Sequence, residues 1–322
     1  MAAPRRFLSL GFILSVTFFL LLIATPSWAG VECGDEIGPY EVAVLTEDLT
    51  CDSHDPALTV VGPKAVLKMG GHTVTCQGIN VGILLDGSGA KLSGGLLKYG
   101  TVTNCDIGVD VGGTGGHLIT KVKANEVTVG FLLRDGSDGN TFTKNTVTNH
   151  VRGGFVTDLG TSNDNEFSYN RSMNGFPGAG YEVRGGDRNV FKYNLAKNNG
   201  NRGGFIVSGN DNVLTKNQAI DNGGGIRIDG ERNTVSGNVA KGNDMNGFSL
   251  LGSGNKVIGN WAKNNTRGIV LSAENTKVIG NIALGNTEFD LVDENENCDN
   301  NTWKFNWFKT SQTNPPDAGC IH

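Results

Sequence analysis

The chain has 322 residues and a formal charge of −5, long enough for one elongated domain or two compact ones and mildly acidic. Gly (48 residues) and Asn (36 residues) are heavily used, yet apolar positions recur regularly, which excludes a disordered chain. Lys and Arg are nowhere concentrated in sequence, so a basic nucleic-acid-binding patch is not expected.

The N-terminus reads as a targeting segment over residues 1–29. Arg5 and Arg6 form a basic region, residues 7–24 are apolar, and Ser27-Trp28-Ala29 offers small residues for cleavage before Gly30. The alternative is an uncleaved anchor, for which the apolar run is short. Cleavage takes the formal charge to −7 and leaves no further stretch apolar enough for a membrane span. A secreted or periplasmic protein follows. Six cysteines in such a chain suggest disulfides. Cys33 and Cys51 bracket the start, Cys298 and Cys320 bracket the end, and Cys76 and Cys105 lie about one repeat apart. The expected pairs are 33–51, 76–105 and 298–320.

Residues 30–65 read as an N-terminal cap, 66–297 as a repeat region and 298–322 as an aromatic-rich C-terminal cap with Pro315-Pro316. The repeat is Asn-x-apolar-x-x-Asn, at 140–145 (NTFTKN), 165–170 (NEFSYN), 189–194 (NVFKYN), 212–217 (NVLTKN), 233–238 (NTVSGN) and 255–260 (NKVIGN), with a variant at 275–281. Starts differ by 25, 24, 23, 21, 22 and 20 residues. Two residues after each second Asn stands Val147, Ser172, Ala196, Ala219, Ala240, Ala262 or Ala283, and a Gly-aromatic or Gly-Ile run follows after a turn. Apolar residues alternate with period two, so each run is a short strand with one buried face. Three such strands per repeat close a coil, and successive coils stack about 4.8 Å apart in parallel register. The fold class is therefore all-β: a single-stranded right-handed parallel β-helix of about ten rungs. The small-residue column marks a narrow interior. Asn145, Asn170, Asn194, Asn217, Asn238, Asn260 and Asn281 are expected to form a structural amide ladder at a bend, since Asn tolerates the left-handed region and bonds local backbone.

The N-x-[VF]-x-x-N-x-A repeats, the GF/GI strands, the segment VLKMGGHTV at 66–74 and the two-cysteine ends resemble the right-handed parallel β-helix proteins of the pectin-lyase-like superfamily, in the branch with NosD-type and carbohydrate-binding or sugar-hydrolase modules. The resemblance covers nearly the whole mature chain. It implies fold and not function, because such proteins include polysaccharide lyases, epimerases, hydrolases and non-catalytic members. Alginate-epimerase-like members carry an Asp-Pro-His-Asp cluster. This chain has only His54-Asp55-Pro56, in another order and near its start. The clustered aspartates that bind calcium in pectate-lyase-like members are missing. So is a close aspartate pair of the polygalacturonase type.

Outward positions of the Gly-aromatic strands form two columns. One reads Arg134, Asp158, Arg184, Ser208, Asp229; its neighbour reads Leu132, Val156, Glu182, Ile206, Arg227, Ser249. This charge pattern is either a salt-bridge ladder or a groove in which arginines hold uronate carboxylates by paired hydrogen bonds. In the second reading His150, Arg184, Arg202, Glu182 and Asp158 are the candidate catalytic residues, with His150 as base. Arg134, Arg152, Tyr169, Tyr193, Arg227 and Asp229 are candidate substrate contacts. Tyr169 and Tyr193, one repeat apart, stack under a sugar or on each other.

No cofactor or metal is expected; calcium is left open as an alternative that no residue cluster indicates. The expected partner is an acidic polysaccharide or another extracellular ligand, with neither nucleic acid nor, after cleavage, a membrane. The activity expected is lyase- or epimerase-like action on, or binding of, a polyuronate. A non-catalytic structural or surface-binding role is the alternative, and a pathway enzyme acting on a small molecule is a third. Sequons stand at Asn170, Asn264 and Asn300. The first pairs with a serine expected to point inwards.

Overall fold

The computed structural model describes residues 30–134, 136–157, 160–316 and 318–321. The targeting-segment reading of residues 1–29 falls outside them. Strands and turns make up the described residues, with no helix among them.

Every strand pairing is parallel, and the strands lie in two hydrogen-bonded sheets of 12 and 22 strands. Geometrically they form three faces. Strands such as Glu166–Ser168 and Val190–Lys192 build the first face. Arg171–Met173 and Leu195–Lys197 belong to the second, and Ala179–Val183 and Phe205–Val207 to the third. The long strands Val122–Leu133 and Thr146–Thr157 run from the second face straight into the third, so those two faces count as one sheet.

The first face has 12 strands, one per turn, so the coil has twelve turns where the repeat suggested about ten. The difference lies at the ends. Val42–Val44 already pairs with Val66–Lys68, and Thr302–Lys304 pairs with Lys277–Ile279. The coil thus enters both segments read as caps. There the side chains lose the motif, but the backbone edge still offers a full row of hydrogen-bonding groups to the next strand. All three expected disulfides are present: Cys33–Cys51, Cys76–Cys105 and Cys298–Cys320.

Alternation places one residue of each three-residue strand inside. On the first face Phe142, Phe167 and Phe191 stack turn over turn, with ring centroids 4.8 and 4.7 Å apart. On the third, Phe131, Phe155, Tyr181 and Phe205 do the same at 4.8, 4.8 and 4.5 Å. The two stacks meet edge to face across the core, as at Phe155–Phe167, an arrangement ring quadrupoles favour. The narrow side of the interior is where the alanine column meets the glycines of the GF motif. A Cβ on Gly204 would stand 2.9 Å from the Ala219 Cβ, and one on Gly180 2.8 Å from that of Ala196. Both columns are small because each fills the space of the other.

Three asparagine ladders, where one was expected, hold the bends. In the expected one, the backbone N–H of Asn194 donates to Asn217 Oδ1 at 2.9 Å, and that of Asn217 to Asn238 Oδ1 at 2.8 Å. Each side-chain amide also donates to a buried carbonyl, as Asn217 does to Phe191. The first asparagines of the motif form a second ladder, through Asn165, Asn189, Asn212, Asn233 and Asn255. A third runs through Asn199, Asn222, Asn243, Asn265 and Asn286 and ends on Asp290, which accepts from Asn286. The ladders satisfy buried bend amides that no strand partner reaches. Asn170 is fully buried in the first of them, so its sequon is closed to modification in the folded chain.

Candidate functional site

On the third face the register is as the columns implied: Leu132 pairs with Val156, Val156 with Glu182, Glu182 with Ile206, Ile206 with Arg227 and Arg227 with Ser249. Around Glu182 the charges converge. Arg184 donates to Glu182 Oε1 from Nε at 2.9 Å and from Nη2 at 2.6 Å, and Arg202 donates to the same oxygen at 2.9 Å. Glu182 is only 5% exposed, and its Oε2 is buried with no hydrogen-bond partner. One carboxylate oxygen thus carries two guanidinium groups, so the local charge is positive.

Arg202 reaches Glu182 from the bend before the next turn, whose backbone is tied down by the bond from Arg202 N–H to Pro177 O. Beyond it opens a cleft of about 390 Å³, lined by Arg202, Ile206, Arg227, Met245, Asn246 and Ser249. Arg227 and Asp229 pair on its far side, Nε to Oδ1 at 2.7 Å. Arg134 lies further down the column and makes a two-pronged pair with Asp110, itself nearly buried. Arg152 is exposed. Asp158 lies outside the described residues.

His150 is placed elsewhere. Its side chain is 1% exposed and points into the coil at the bend between the second and third faces. Nε2 donates to Asn199 Oδ1 at 3.1 Å and lies 2.9 Å from Ser172 Oγ; Nδ1 is buried without a partner. The ring occupies the place that a side chain of residue 175 would fill. A Cβ on Gly175 would stand 1.9 Å from the imidazole. Hence the asparagine ladder skips residue 175, and His150 reaches over it to Asn199. Burial drives the pKa of His150 down to about 4, against the bond to Asn199, which favours the charged ring. His117 is a second buried cap. Its backbone N–H donates to Asn140 and its ring meets Gly112 O, and burial lowers its pKa too.

Tyr169 and Tyr193 stand on a different edge, between the first and second faces. Their rings stack at 4.9 Å and 6°, and both are exposed. The structure therefore brings Glu182, Arg184 and Arg202 together with Arg227 alongside. It separates His150 and the tyrosines from them.

Three features were missed in the sequence, the ladder of the motif's first asparagines among them. Asp110, the partner of Arg134, lies where the repeat is degenerate. The third ladder was legible, since Asn199, Asn222, Asn243, Asn265 and Asn286 recur 21 to 23 residues apart; extended backwards by the 24 and 25 residues that separate Asn194, Asn170 and Asn145, it reaches Gly175 and His150 and would have put His150 indoors. Among the described residues the one convergence of metal-ligand types is Asp293 with Cys298 and Cys320. Those cysteines form a disulfide, and Asp293 accepts from Asn295 and Trp303, so the group is spent on structure.

Residues 71–219 and 176–287 match the protein family described as right handed beta helix region. Similar solved structures include the A-module of mannuronan C-5 epimerase AlgE4 from Azotobacter vinelandii, 14% identical over 87% of this chain and 88% of that one, with a TM-score of 0.56. The AlgE6 A-module of the same organism is 15% identical over 87% and 89%, with a TM-score of 0.54. DFA-IIIase without its lid, from Arthrobacter chlorophenolicus A6, is 11% identical over 84% and 83%, with a TM-score of 0.58. At such identities the likeness is one of fold. A comparison with curated proteins finds no match.

Proposed function

The chain belongs to the right-handed β-helix family, and on that premise we propose that it is an extracytoplasmic protein that binds an acidic polysaccharide on its third face. Three disulfides, with no free cysteine among the described residues, support an oxidising compartment. The fold neighbours named for mannuronan epimerisation, together with the cleft, support a uronate-bearing glycan. The observation that carries the reading is the placement of Arg202. Its guanidinium is anchored on Glu182 yet half exposed at the wall of the cleft, with Arg227 across from it. An anchored guanidinium loses little freedom on meeting a carboxylate and offers a planar fork to it.

The reading is of binding rather than of proton abstraction. His150 faces the core, uncharged at neutral pH, and in this reading it holds the third ladder in place. Glu182 and Arg184 orient Arg202; Arg227 and Asp229 close the far wall.

The test is affinity electrophoresis of the mature protein through gels containing polygalacturonate or alginate. Retardation by either polymer is expected, and Arg202→Ala/Arg227→Ala should weaken it by about tenfold, as two charge-assisted contacts are lost. Equal retardation of the wild type and the double variant would remove the cleft from the account. Failure of the wild type to bind either polymer would leave the structural-protein alternative in its place.

A further inference from the structure

The second face carries a feature that no short stretch of sequence displays. Its outward positions and the bend leading into it hold Lys144, Arg171, Lys197, Lys216, Lys241 and Lys263, one on each of six successive turns. None of these six has an ion-pair partner among the described residues, whereas Arg134, Arg184, Arg202 and Arg227 on the third face are all paired. One outward column of this face runs Arg171, Leu195, Gln218, Val239, Trp261, Ile282 and on to Trp307. It contains no carboxylate, and Trp261 and Trp307 are 46% and 67% exposed.

Rings and cations interleave along the axis. Lys216 Nζ sits 5.4 Å from the centroid of Tyr193 and donates to its hydroxyl, and Lys263 Nζ lies 5.9 Å from the centroid of Trp261. A second cleft, of about 470 Å³, opens here between Lys144, Tyr169, Arg171, Tyr193 and Gln218. From Lys144 to Trp307 the track spans eight turns, roughly 34 Å at about 4.8 Å per turn.

We infer that the second face is a docking track for a linear acidic polysaccharide, separate from the arginine cleft. The inference shares its ligand class with the proposed function and depends on different residues. One unpaired cation per turn over six successive turns, set in two strand columns and the bend before them, is complementary on an acidic protein to a polymer with a carboxylate on each sugar. Leu195, Val239 and Ile282 in the column between them give the C–H faces of sugar rings an apolar floor. Nucleic acid fits less well. A base needs a free ring face to stack on, and here Tyr169 and Tyr193 cover one another and lysines sit over Tyr193 and Trp261, so that Trp307 at one end is left as the single uncovered ring among those named. The cleft holds a few sugars and the track holds a chain, so the two faces together raise avidity for a long polymer.

Lysine and arginine footprinting of the mature protein, read residue by residue by mass spectrometry, separates the two surfaces. Polygalacturonate should slow acylation of Lys144, Lys216 and Lys263 several-fold, while Lys68 and Lys91 on the first face stay unchanged; dextran should protect none. The variant Lys144→Glu/Lys216→Glu/Lys263→Glu alters only exposed side chains. It should lose about tenfold or more in affinity for polygalacturonate. Protection confined to Arg202 and Arg227, or single-stranded DNA protecting the three lysines as well as polygalacturonate does, would overturn the track. Lysine protection that persists when Arg202 and Arg227 are unprotected would instead remove the cleft alone.

Discussion

Phe167→Ala is expected to lower stability by about 4–6 kcal/mol. Emptying a fully packed aromatic site costs about 3–5 kcal/mol, and ordered ring pairs add roughly 0.5–1.5 kcal/mol beyond area. Phe167 is 1% exposed, lies between Phe142 and Phe191 in its own stack, and meets Phe155 edge to face. The coil walls are hydrogen-bonded on both sides and cannot collapse into the void. Because each turn touches mainly its neighbours, the loss should appear as a separate early transition in urea rather than a uniform shift. Tyr169→Ala, two residues on but exposed, should cost about 1 kcal/mol or less. Similar losses for the two variants would mean that the alternation of inward and outward positions is misassigned.

Acid is expected to destabilise the protein through His150 well before the carboxylates titrate. In the unfolded chain the imidazole binds its proton near pH 6.5, whereas the folded protein delays this to about pH 4. Between those values the unfolded state holds more protons. Stability is therefore level above pH 6.5 and falls as the pH drops towards 4, by about 3 kcal/mol in all. His117, also lowered by burial, acts in the same direction. Asp164 and Asp211, held low by Arg188 and Arg232, lose their contribution only at more acid pH. Urea midpoints at about pH 7 and pH 4.5 should separate clearly for the wild type and much less for His150→Gln. The pair His150→Ala/Gly175→Asn should complete the third ladder and recover stability that His150→Ala alone loses. An unchanged pH profile in His150→Gln would show that the ring is not the buried group described.

The fold was legible because its signal repeats. Each turn spends nearly the same residues on the same three bends, so Asn194, Asn217 and Asn238 announce one another. Twelve imperfect copies average out local ambiguity. The convergence of charges around Glu182 was legible only where they follow the strand motif, as Glu182 and Arg184 do. Arg202 lies in a bend, and its reach to Glu182 depends on a backbone path that period-two alternation does not describe. His150 was misleading because a polar residue in a polar turn looks external; only the stacking of Gly175 and Asn199 above it supplies an interior place. The lysine track was hidden for the opposite reason. Lys197, Lys216, Lys241 and Lys263 are about twenty residues apart along the chain, so composition averaged over sequence dilutes what the coil gathers onto one surface.

Isothermal titration of the mature protein with polygalacturonate at about 50 mM and about 200 mM salt is the most direct trial of surface recognition by stacked cations, since screening tightens over that range. The account predicts saturable binding at low salt that weakens by about tenfold or more at the higher concentration. No heat of binding at low salt, or an affinity indifferent to salt, would contradict it.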